Sequence, residues 1–63
     1  MKREDIFEFS NREVQIYLKR NSELIEGKII DIREFLIILN DNEGNKIKID
    51  FFDIAMIKGV DND

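Results

Sequence analysis

The chain contains no cysteine, no histidine and no proline, and only three glycines. Without cysteine there can be no disulfide, and without cysteine or histidine the ordinary zinc sites are gone, while the redox compartment stays undetermined. The same absences exclude Ser-His-Asp and Cys-His nucleophilic catalysis. Carboxylates abound, yet no pair falls at a recognisable general acid–base spacing, and 63 residues offer little cleft to hold one. Neither an enzyme nor a cofactor is expected. The stretch "DNEGNKIKID" superficially resembles a calcium loop, but its glycine is misplaced and the ligand that closes such loops is missing.

Long apolar runs are also absent. None reaches the ~20 residues needed to span a bilayer, and "MKREDIFEF" has no signal-peptide core. A soluble, cytoplasmic protein without a membrane partner is expected. Fourteen acidic residues against ten basic ones give a net charge of -4, which opposes non-specific attraction to phosphate backbones. Any nucleic-acid site must therefore be local.

What is present is strand-forming sequence. A domain of this size buries only about 60% of its unfolded surface, and its core supplies roughly 3–5 kcal/mol. With disulfides and metals excluded, self-association is the leading remaining way to stabilise it. Residues 3–10, "REDIFEFS", read as a short helix resting on something larger. Ser10 and Glu13 have capping-box spacing, but Val14, Ile16 and Leu18 alternate with Gln15, Tyr17 and Lys19, so a strand is expected at about 13–19. A polar turn at 20–22 leads to a second strand at about 24–32, and a third at about 34–39 follows with no strong turn residue between. "NDNEGN" at 40–45 is a loop. In "KIKIDF", Ile47, Ile49 and Phe51 alternate with Lys46, Lys48 and Asp50; "IAMIK" forms a short last strand, and the tail at 59–63 should fray. Gly27 lies near the middle of the longest strand, where glycine marks a bent or crowded backbone. The expected fold is mostly β: one domain, a short helix and five strongly bent antiparallel strands forming a small barrel over about 13–58.

Three segments carry a family resemblance: "VQIYL" opening the first strand, "LIEGKI" around Gly27, and "EFLIIL" in the third strand. In their order and spacing, residues from Val14 to Lys58 resemble the Sm-like family, and within it the bacterial Hfq branch more than eukaryotic Sm proteins. The resemblance implies an SH3-like barrel whose fourth strand pairs with the fifth strand of a neighbour, giving a hexamer or heptamer ring. It also implies binding of single-stranded RNA, U-rich or A-rich. Phe35 matches the aromatic that stacks on a base in the uridine pocket, and Tyr17 matches the tyrosine of the opposite, adenine-binding face.

The departures are specific. Asp50, Phe51 and Phe52 stand where Hfq-like chains have Tyr-Lys-His, and Arg33 and Ile37 stand where Sm proteins have Asp and Asn. An aromatic floor remains while the usual donors are lost, and Asp50 would repel phosphate. Arg33 beside Phe35, with Phe52 in the neighbouring loop, offers an alternative stacking and guanidinium site, and Lys46 and Lys48 share the solvent face of the fourth strand. The plainer account keeps Phe35 in the core, Tyr17 as a half-exposed strand residue, and the lysines as charges that blunt an edge. An unrelated SH3-like or OB-like barrel, or an Sm-like module that binds protein and not RNA, fits the same residues.

Overall fold

The computed structural model describes residues 2–60 of the chain. An α-helical turn, α1 (Arg3–Ile6), runs into a 3-10 turn (Phe7–Phe9), and five strands follow: β1 (Glu13–Leu18), β2 (Leu24–Ile32), β3 (Leu36–Asn40), β4 (Lys46–Asp50) and β5 (Ile54–Gly59). A second 3-10 turn, Phe51–Asp53, joins β4 to β5. All five strands lie in one antiparallel sheet with the order β4-β3-β2-β1-β5. The sheet is open: among the described residues no ladder joins β4 to β5, so the sequence-based expectation of a closed barrel is met only as far as the short helix and the five antiparallel strands.

Isoleucine builds the core. Ile6, Val14, Ile16, Ile29, Ile37, Leu39, Ile49, Phe51, Ile54 and Ile57 form one buried cluster. The alternation of β1 places Val14 and Ile16 inside and Tyr17 on the other face, as a half-buried strand dictates. Ile6 anchors the helical segment, which is far too short to persist without that contact. Asn11, at φ 60, turns the chain from this segment into β1. Its N–H donates to the Ile29 carbonyl at 2.9 Å, and the Ile29 N–H returns a bond to the Arg12 carbonyl at 3.1 Å.

Two local features shape β2. The β2–β3 register runs Ile29↔Leu39 and then Asp31↔Ile38, so Ile30 is an extra residue, a β-bulge that turns the strand and strengthens its twist. Gly27 lies where the backbone is crowded: a Cβ there would stand 2.6 Å from the Asn40 carbonyl oxygen and 3.0 Å from a Leu39 methyl. Glycine thus permits the close approach of β2 to the end of β3, and the bulge at Ile30 supplies the kink. The crowding expected at Gly27 is found, and the bulge lies three residues further on, at Ile30.

Three further boundaries differ from expectation. The third strand starts at Leu36, because Glu34 and Phe35 form a two-residue loop closed by the Arg33 N–H donating to the Leu36 carbonyl at 2.8 Å. Gly59 belongs to β5 and the Val60 N–H donates to the Glu13 carbonyl at 3.0 Å, so the ordered chain extends past 58; residues 61–63 of the expected fraying tail lie outside the described residues. Phe51 points inward as expected, but from the 3-10 turn after β4. The 40–45 loop forms around Asp41, whose Oδ1 accepts from the N–H groups of Glu43 at 2.9 Å and Asn45 at 2.8 Å. Those bonds, that from Asn45 first, hold its carboxyl below the usual range.

The Gly27 contact sets an expectation. Because the opposing atom is a backbone oxygen that cannot rotate away, Gly27→Ala should cost about 1–3 kcal/mol through overpacking. Urea unfolding followed by circular dichroism measures it, and an unchanged midpoint would mean that β2 and β3 separate easily at this point.

Candidate functional site

The most exposed large apolar side chains among the described residues are Phe52, at 79% of full exposure, and Phe35, at 66%. Phe35 is therefore not a core residue. The two positions belong to different connections, yet the Phe51 N–H donates to the Phe35 carbonyl at 3.0 Å, so the β2–β3 loop and the β4–β5 turn meet at one end of the sheet. Phe51 is buried in the core at this junction and fixes its neighbour Phe52 on the surface.

Beside Phe35 lies an open groove of about 290 Å³, lined by Arg33, Glu34, Phe35, Leu36, Ile38 and Lys48. Its floor follows from β3, which is apolar on both faces. Ile37 and Leu39 face the core, while Ile38 is buried outside the core cluster, on the opposite side of the sheet between Asp31 of β2 and Lys48 of β4. Arg33 and Lys48 bring positive charge to the groove and Glu34 brings negative charge. Arg33 Nε donates to Asp31 Oδ2 at 2.7 Å, and that bond is the main reason the Asp31 carboxyl sits below its ordinary pKa. Lys48 and Glu34 make no hydrogen bond or ion pair among the described residues.

The structure thus brings Phe35, Arg33 and Lys48 to one groove, with Phe52 on the adjoining turn. Lys46 is exposed on the same face of β4 but pairs with Asn40 at the far end of the strand, away from the groove. Tyr17 is separate from it. It stands half-buried between Leu24 of β2 and Met56 of β5, forming an apolar row on the outer face of the sheet. Sequence reasoning missed Glu34, placed there inside a strand, and Ile38, whose burial on the outer face has no signal in an unbroken apolar run.

A second junction supports the site from behind. The Lys19 N–H donates to the Asp53 carbonyl at 2.7 Å, and the Arg20 guanidinium pairs with the Asp53 carboxylate. Hydrogen bonding and charge attraction from Asp53 both raise the Arg20 pKa. The 51–53 turn is thereby tied to the β2–β3 loop through Phe51 and to the end of β1 through Asp53.

Among the described residues no group of three or more acidic, His or Cys side chains could hold a metal ion, and no helix is long and apolar enough to cross a membrane. No family model, no curated protein and no solved structure matches this chain.

The three phenylalanines of this junction, Phe35, Phe51 and Phe52, separate cleanly by burial. Phe51→Ala should cost about 3–5 kcal/mol, enough to unfold a domain this small, because it empties the junction. Phe35→Ala and Phe52→Ala should stay within about 0.5 kcal/mol of the parent, as exposed positions do. Thermal melts of the three variants compare them, and a large loss at Phe35 would restore it to a structural role.

Proposed function

We propose that this chain is an Sm-like protein of the small-barrel type that assembles into a ring and binds single-stranded RNA by base stacking. The observation that carries the reading is the exposure of Phe35 and Phe52 on two loops joined by a hydrogen bond, beside a groove with Arg33 and Lys48 at its rim. An exposed aromatic ring is costly to keep in water and offers any base a flat π-face. Arg33, oriented through Nε by Asp31, keeps its terminal nitrogens for phosphate. The net charge of -4 makes the interaction depend on these local groups and not on a basic surface.

Ring assembly rests on the two free edges. β4 and β5 each pair on one side only, and unpaired backbone N–H and C=O groups recruit another strand unless they are blocked. A β4 edge meeting a β5 edge of the next copy satisfies both and enlarges a small core. Light scattering after gel filtration at micromolar concentration should give several times 7.5 kDa. A mass of 7.5 kDa would remove the ring.

RNA binding is tested by fluorescence anisotropy with mixed-sequence single-stranded RNA at two salt concentrations. Saturable binding that weakens with salt is expected, and Phe35→Ala should lose about 1–3 kcal/mol of affinity with its melting temperature unchanged. The competing reading, a protein-binding module, draws on the apolar row of Leu24, Tyr17 and Met56 that reaches the β5 edge. It takes over if no RNA binds saturably at either salt concentration.

A further inference from the structure

We infer that the groove beside Phe35 selects guanine, with Glu34 as the residue that determines the choice; the inference rests on the RNA reading and refines it. A groove of about 290 Å³ lies at the small end of the roughly 300–1,000 Å³ that hold drug-sized ligands, so it suits one base and not an extended ligand. Stacking on Phe35 gives no preference among bases, since each has a π-face. Discrimination must come from the polar groups at the rim that are free to bond. Three are: the Glu34 carboxylate, the Lys48 ammonium and the terminal nitrogens of Arg33, the last of which the RNA reading assigns to phosphate.

The chemistry of the first two is opposite, and only some base edges answer to both. An ionised carboxylate accepts hydrogen bonds and donates none, while an ammonium donates and accepts none. Guanine carries adjacent N1–H and N2–H donors, which a carboxylate can accept together, and on its other side presents O6 and N7, which accept from lysine. Uracil presents O2 and O4 with a single N–H between them, so a carboxylate at its edge meets at least one lone pair. Adenine and cytosine each offer one amino group next to an acceptor nitrogen, which leaves one carboxylate oxygen unsatisfied. A base edge laid against the carboxylate displaces water from it, so an edge that cannot donate twice loses hydrogen bonds that guanine would restore. Arg33, already held by Asp31, remains for the phosphate and adds no base preference.

The test uses labelled RNA pentamers that differ only in the central base, guanine, inosine, adenine or uracil in a uridine background, with anisotropy as the readout. A single guanine avoids self-association of the ligand. The guanine pentamer should bind about 5- to 100-fold more tightly than the uracil pentamer, the range that one bidentate pair supplies. Inosine, which lacks the N2 amino group, should fall between them. Glu34→Ala should abolish the guanine preference without weakening the uracil pentamer. Glu34 lies in an exposed loop, so the variant should fold, and a melt confirms it. Equal affinity across the four pentamers, or a guanine preference that survives Glu34→Ala, overturns the inference and leaves RNA binding standing. Free guanosine monophosphate serves as the second arm. Binding as tight as that of the guanine pentamer, and lost in Glu34→Ala, would keep the guanine site but remove the RNA reading. If neither the pentamers nor the mononucleotide bind saturably, both fail.

Discussion

The rest of the structure depends on the bending of β2 and on the three-residue turn that locks it. A nine-residue strand left straight would hold the two halves of the sheet apart. Here the bulge at Ile30 kinks it, Gly27 lets it pass close to the end of β3, and the turn at Phe51–Asp53 then reaches both sides of the fold. At one end Phe51 donates to Phe35; at the other Asp53 accepts from Lys19. Two backbone hydrogen bonds are modest in net energy, about 1 kcal/mol each, but their geometry decides which side chains face water. Phe51 is pulled into the core between them, and Phe52, the next residue, has nowhere to go but outward. The exposure of Phe52 is therefore a consequence of how the turn is held.

Much of the fold was legible because period and chemistry agreed. β2 was bounded by a polar turn and its residues alternate well enough to be placed at 24–32, as found. β4 repeats Lys-Ile-Lys-Ile, and its lysines are exposed as that alternation requires. The β2–β3 junction was not legible. Both faces of β3 are apolar, since Ile37 and Leu39 serve the core and Ile38 floors the groove, so no period marks where the strand begins. The loop is built from Glu34 and Phe35, neither of which is a turn residue. A bulge is likewise silent in sequence: one extra residue shifts the ladder register without altering composition. That is why the crowding at Gly27 could be expected from a lone glycine, while the bulge at Ile30 could not.

The candidate site was readable in part for related reasons. Phe35, Arg33 and Phe52 could be placed near one another because they lie in alternate connections, β2–β3 and β4–β5, which fall at the same end of an antiparallel sheet, and the backbone bond from Phe51 to Phe35 joins those connections. Lys46 and Lys48 are chemically alike and two residues apart, yet only Lys48 reaches the groove, because its ladder partner Ile38 is the groove floor while that of Lys46 is Asn40. Sequence spacing fixes the face of a strand but not the position along it at which a loop folds over. Glu34 carries the same lesson: moved from strand to loop by two residues of register, it changes from a surface charge to a lining group.

An acidic protein that binds a polyanion must separate the charge that repels from the charge that contacts. At physiological ionic strength exposed charges are screened beyond about 8 Å, so acidic side chains elsewhere on the surface contribute little at the groove, whereas those within it act almost unscreened. Asp31 is neutralised by Arg33, and Asp53 by Arg20. Glu34 is the one carboxylate that lines the groove, and it has no such partner among the described residues. An unpaired carboxylate at a phosphate-binding rim is a cost unless something donates to it. In the proposed site a base edge with two N–H groups would do so, and would turn a charge that opposes binding, as the exposed Asp50 opposite Leu36 also does, into one that chooses the ligand.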